Sequence, residues 1–169
     1  MSMIGELTFF LGFQVKQMRE EIFISQEKYT KDLLKRFNMD ECKPIKTPMS
    51  SNRHLDLDEG GKMVYHTLYR SIIGSLLYLT ASRPGIMFSV CMYARFQANS
   101  KETHLIDVKR ILRYVKHTPR IDLWYSKGAI FKLVGYSDSD YAGCKVDRKS
   151  TSGGCHLLDR SLVSWSSKK

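Results

Sequence analysis

The chain has 169 residues, 43% of them apolar and 26% charged, a balance that fits one globular domain and excludes a disordered or fibrous chain. Its longest apolar stretch, Ile72 to Ala81, is far below the roughly 20 residues of a membrane span. The net charge of +10 is uneven: residues 1–60 hold nine Lys and Arg against ten Asp and Glu, and residues 61–169 hold eighteen against seven.

The first residues, Met1 to Glu6, show no basic segment leading into an apolar block, so an intracellular location, cytoplasmic or nuclear, is expected. Leu11, Phe13 and Val15 then alternate with Gly12, Gln14 and Lys16, and Met18-Arg19-Glu20 turns the chain into Glu21 to Ser25. That pattern predicts a β-hairpin, which is marginal in water alone and has to pack on something. Ser25 is placed to cap a helix in which Tyr29, Leu33, Leu34 and Phe37 share a face, with Lys28, Lys31, Lys35 and Arg36 turned elsewhere. Residues 39–62, with Pro44, Pro48, Gly60 and Gly61 among many polar side chains, read as a long connector.

Three helices are predicted next, over about 63–81, 84–98 with Pro84 in the first turn, and 101–117 capped by Ser100. The last separates two faces. Leu105, Val108, Ile111, Leu112 and Val115 fall on one side, and Lys109, Arg110, Arg113, Lys116 and His117 on the other. A solvated face opposite a core stripe explains this as well as a face that grips phosphates, and the regional charge favours phosphates.

From about 130 to 167 three short strands are expected. Phe131, Leu133 and Gly135 alternate with Lys132, Val134 and Tyr136, which brings Asp138 to a strand end, where a carboxylate can hold a metal. On the local pattern alone, Asp138 and Asp140 read rather as turn residues whose side chains bond nearby backbone donors. An Asp-x-Asp of the kind that chelates a nucleotide sugar would need alternating strands and helices upstream, and the preceding segment is instead a run of helices. Arg148 and Lys149, followed by Ser150-Thr151-Ser152, form a second basic site on a loop. Tyr136, Tyr141 and Trp165 on strands are assigned to packing. Cys42, Cys91, Cys144 and Cys155 are too widely spaced for a zinc site, and the neighbours Cys155 and His156 point to opposite faces of a strand. Reduced core thiols are expected.

Tyr136-Ser137-Asp138-Ser139-Asp140-Tyr141-Ala142-Gly143, followed by Arg148-Lys149-Ser150-Thr151-Ser152-Gly153, resembles the opening of the ribonuclease H domain in Copia-class retrotransposon polyproteins, with Tyr141 in place of the usual Trp. The resemblance runs upstream through Phe9-Phe10-Leu11-Gly12, Ile24 to Tyr29, Thr47-Pro48-Met49, Tyr69 to Leu79 and Lys109 to Lys116. Gly85 after Arg83-Pro84 replaces the usual Asp, and His117 the usual Gly.

The resemblance implies an α+β fold: a palm-end hairpin and helical thumb and connection over residues 1–128, then a truncated three-stranded antiparallel start of a ribonuclease H-like sheet over 129–169. It implies Asp138 as one catalytic and metal-binding carboxylate, with Asp140 a neighbour, and Mg2+ or Mn2+ as the ion in the intact polyprotein. It implies an RNA–DNA hybrid or primer–template duplex and the rest of the Pol polyprotein as partners, with Lys109, Arg110, Arg113, Lys116, Arg148 and Lys149 on phosphates. No Tyr-x-Asp-Asp occurs, so polymerase chemistry is not expected of this chain, and ribonuclease H needs several carboxylates of which one element is present. Catalytic incompleteness is therefore expected. The alternatives are an orphan, sequence-neutral nucleic-acid-binding module and an inert retroelement remnant.

Overall fold

The alternating segment near the N-terminus forms two antiparallel strands, β2 (Phe13–Gln17) and β3 (Glu21–Ser25), with Val15 opposite Ile24 and Lys16 opposite Phe23. The computed structural model describes residues 7–50, 56–128, 132–140 and 150–168. The hairpin does not stand alone. A two-residue strand β1 (Phe9–Phe10) folds back onto β2 through Leu11 and Gly12, both at positive φ, the geometry of a tight turn that matches strand twist. On its other side β3 pairs with β4 (Leu123–Ser126), about a hundred residues downstream, giving a four-stranded sheet in the order β1-β2-β3-β4.

Among the described residues, four α-helices lie between β3 and β4: α1 (Glu27–Arg36), α2 (His66–Leu79), α3 (Met87–Ala94) and α4 (Glu102–His117). The segment expected as one helix over 84–98 is broken into a 3-10 turn Pro84–Ile86, α3, and a second 3-10 turn Arg95–Ala98. Such tight turns are common at helix ends, and here Pro84 and Gly85 open the first of them.

Neither predicted serine cap forms. Ser25 is the last residue of β3, and the N-cap of α1 is Gln26, while the second free N–H of that helix, from Lys28, is satisfied by Gln14 Oε1 of β2 at 2.7 Å. At α4 the N-cap is Lys101, which is extended and bridges Met63: Ser100 O accepts from Val64 N–H at 3.1 Å, and Glu102 N–H donates to Lys62 O at 3.0 Å. Segments distant in sequence thus supply partners at both helix starts, from β2 at α1 and from Lys62 at α4.

The core is helical. Leu33 and Leu34 of α1, Tyr69, Ile72, Ile73, Leu76 and Leu79 of α2, Val90 and Tyr93 of α3, and Val108, Ile111, Leu112 and Val115 of α4 are buried in one cluster. Full burial of each aliphatic side chain stabilises by about 1.5–3 kcal/mol, so this cluster dominates the favourable side of folding.

A second antiparallel sheet follows, β5 (Leu133–Ser139), β6 (Ser152–Leu158) and β7 (Ser161–Lys168), in the order β5-β6-β7. It is seated on the rest of the molecule: Trp165 Nε1 donates to Thr80 O at 2.9 Å, Tyr125 OH of β4 to Leu162 O at 3.1 Å, and Arg95 Nη2 to Thr151 Oγ1 at 3.0 Å. Among the described residues the fold is α+β, with four α-helices and two antiparallel sheets.

Candidate nucleic-acid interface

The predicted separation of faces on α4 is present. Val108, Ile111, Leu112 and Val115 are at 0% exposure, whereas Lys109 is exposed and Arg110, Arg113 and Lys116 are half-buried. Those three cations are already engaged. Arg113 Nε donates to Lys43 O at 2.7 Å, Lys116 Nζ to Cys42 O at 2.7 Å, and Arg110 Nη2 to Thr47 Oγ1 at 2.8 Å, while Ile45 N–H returns a bond to Arg113 O at 3.3 Å. The connector over residues 42–47 therefore lies along the basic side of α4. Lys109 is exposed, as are His117 and Arg120.

Asp138 lies within β5, paired with Gly153, and its carboxylate is exposed. Strand alternation puts it on the same face as Tyr136, and both line a cleft of about 650 Å³ between the second sheet and the segment containing Pro84, Met87 and Phe88. Gly153 and Gly154 on β6 and Gly85 opposite leave the cleft open, since they bring no side chains to it. Asp140 behaves differently. Its backbone N–H donates to Thr151 O at 3.1 Å and its carboxylate accepts from Thr151 N–H, closing the end of the β5–β6 pair.

Among the described residues no three His, Cys, Asp or Glu side chains converge as a metal cage requires, so Asp138 is a single carboxylate and no metal-dependent step follows from it. Arg148 and Lys149, like Tyr141 and Cys144, lie outside the described residues. Cys42, Cys91 and Cys155 are free thiols. Among the described residues no helix is long and apolar enough to cross a membrane.

Sequence reasoning missed the buried cation that ties the helices together. Arg83, 3% exposed, donates from Nη1 to Thr118 O and from Nη2 to Pro119 O at 2.8 Å, with Thr118 Oγ1 at 3.2 Å. Burial lowers its pKa, and Tyr114 and Asp122 oppose that fall. It also missed His104, which is buried, stacked on Phe96 with ring centroids 3.9 Å apart, and bonded at both nitrogens. Its Nδ1 lies 3.1 Å from Lys101 N–H and its Nε2 2.8 Å from Asp56 O. Arg83 lies between α2 and the turn Pro84–Ile86, and His104 follows Glu102 and Thr103 in the first turn of α4, so neither carried a local signal.

The chain is 43% identical over 164 residues to the retrovirus-related Pol polyprotein from transposon RE1 of Arabidopsis thaliana, covering 97% of this chain and 11% of that protein. It is 34% identical over 175 residues to the Pol polyprotein from transposon TNT 1-94 of Nicotiana tabacum, covering 98% of this chain and 13% of that one. It is also 34% identical over 166 residues to an uncharacterized mitochondrial protein of Arabidopsis thaliana, AtMg00810, covering 98% of this chain and 69% of that protein. The chain thus spans about a tenth of the length of the polyproteins it matches. No protein-family model and no solved structure matches.

Proposed function

Because the chain belongs to the family of Copia-type retrovirus-related Pol polyproteins, we propose that it forms the junction between the end of reverse transcriptase and the start of ribonuclease H, and that it grips a nucleic-acid duplex. In this reading residues 1–128 carry the palm-end hairpin, thumb and connection, and residues 129–169 the opening strands of ribonuclease H. The duplex is an RNA–DNA hybrid or a primer–template, held through its phosphates and without base reading.

The observation that carries the proposal is α4: a stripe at 0% exposure opposite Lys109, Arg110, Arg113 and Lys116, inside a region with eighteen cations and seven anions. Asp138, exposed in its cleft, is the one described carboxylate placed to join others from elsewhere in the polyprotein, with Mg2+ or Mn2+ the ion such a set would bind. RNA-directed DNA synthesis and hybrid degradation belong to that larger assembly in this reading, and this chain alone is catalytically incomplete.

A second reading of α4 has its own observation. The bonds from Arg110, Arg113 and Lys116 to residues 42–47 make that face a clamp for the connector. The two readings part at Lys109. Fluorescence anisotropy with a labelled RNA–DNA hybrid across a salt series is expected to show affinity falling linearly in log salt, with Lys109→Glu weakening binding at unchanged thermal stability. Unchanged affinity in Lys109→Glu, together with an unfolding defect in Arg113→Ala, would leave the clamp as the whole role of the face.

A further inference from the structure

We propose that the connector is itself a duplex-binding element: Lys43 and Lys46 contact the phosphates, and Arg110, Arg113 and Lys116 of α4 act as the bed that holds the connector in place. The inference rests on the duplex reading of the α4 face and assigns that face two further binding residues.

The three α4 cations hold the connector in a fixed order. Lys116 bonds Cys42, Arg113 bonds Lys43 and Ile45, and Arg110 bonds Thr47, so the connector runs opposite in direction to the helix. Both ends of this segment are tied inward as well, since Cys42 and Met49 pack against the core cluster. Pro44 and Pro48 each fix one backbone torsion within it. A segment held at its ends and its middle has little freedom left to lose, which lowers the entropic cost of contact with a partner.

What this segment offers to a partner is positive charge. Lys43 and Lys46 are exposed, and among the described residues neither ammonium enters a hydrogen bond or an ion pair. The acceptors of Arg113 and Lys116 are carbonyls and that of Arg110 is a hydroxyl. Such neutral acceptors satisfy the donors without cancelling their charge. Neither residues 42–49 nor residues 108–121 contain a carboxylate; Asp40, Glu41, Asp107 and Asp122 lie at the ends of these stretches. A duplex carries a phosphate charge about every 1.7 Å of its axis, and lysines on flexible stems suit phosphate contact without base reading.

The test uses the full chain and a labelled RNA–DNA hybrid, with anisotropy read across a salt series. Lys43→Gln combined with Lys46→Gln is expected to keep the melting temperature, because both side chains are exposed and carry no internal bond. The slope of log affinity against log salt should become shallower by about 2, and binding at about 0.1 M salt should weaken by about tenfold or more. Lys16→Gln combined with Arg19→Gln removes the same charge from exposed positions on β2 and the turn after it, and should leave the slope unchanged. An unchanged slope and affinity in the connector variant, while Lys109→Glu still weakens binding, overturns the inference and leaves the duplex reading standing. An equal loss in the β2 variant also overturns it, since net charge alone would then explain the effect. Absence of salt-dependent binding by the unaltered chain overturns the duplex reading and this inference with it.

Discussion

The helical body and the second sheet are built on opposite economies of side chain. In the body, α2 alone buries Tyr69, Ile72, Ile73, Leu76 and Leu79. Across the sheet, β5 buries none of its seven residues, and Leu133 and Tyr136 are 65% and 62% exposed. The body is held by non-directional apolar contact. The sheet is held by its ladder and by a few seam bonds from Trp165, Tyr125 and Arg95. Stability in the first is spread over many residues, and in the second it rests on a handful, so the two should fail in different ways.

The sharpest way to break the contrast is Leu76→Ala, a buried truncation in α2 expected to lower the unfolding free energy by about 2–5 kcal/mol in urea, with helices and both sheets lost together. Separate transitions for helix and strand signals in this variant would contradict a single supporting core. Trp165→Ala comes next, at about 3 kcal/mol. Its loss should be local: native-state hydrogen exchange is expected to speed up in β5–β7 while α2 and α4 keep their protection, and uniform acceleration would show the sheet to be part of the core.

Alkaline pH probes both regions at once. Burial raises the phenol pKa of Tyr69 in α2 and of Tyr125 at the seam above the ordinary 10.0. The folded chain keeps protons that the unfolded chain releases above that value, so their contribution is intact below pH 10.0 and fades as pH climbs toward the folded values. Thermal melts should drop steeply in that window, less steeply in Tyr69→Phe, and a pH-independent melt through it would refute the burial of both phenols. The smallest effect is expected at Gly85. A Cβ built there meets nothing within 4 Å, so Gly85→Ala should stabilise by about 0.4–1 kcal/mol through the unfolded chain, and a decrease in melting temperature would reveal a constraint on the cleft wall.

Sequence alone conveyed what is local. The β2–β3 hairpin was readable because its alternation and its turn lie within thirteen residues, Phe13 to Ser25, and the α4 stripe because helical spacing repeats over sixteen. Strand β4 was not readable. Leu123 to Ser126 is four residues without a flanking repeat, and its partner β3 lies far upstream. The caps failed for the same reason, since Gln14 of β2 and Lys62 of the connector reach the helix starts from other segments of the chain. On the site side, the strand carrying Asp138 could be foreseen from period two, whereas the cleft beside it could not, because Pro84 to Phe88 meets that strand only in the folded chain. The connector bonded to Arg110, Arg113 and Lys116 has no sequence signature either, because two of its three acceptors are backbone carbonyls that any residue supplies.

The β3–β4 pairing sets a timetable for synthesis. With about 100 residues between Ser25 and Leu123, a ribosome working at about 5–20 residues per second leaves the outer edge of β3 without its mate for about 5–20 s. Ile22, Phe23 and Ile24 wait on that edge as an open template for any extended strand nearby. The nascent chain is therefore most vulnerable to misassembly, and most in need of a chaperone, before its fourth strand has emerged.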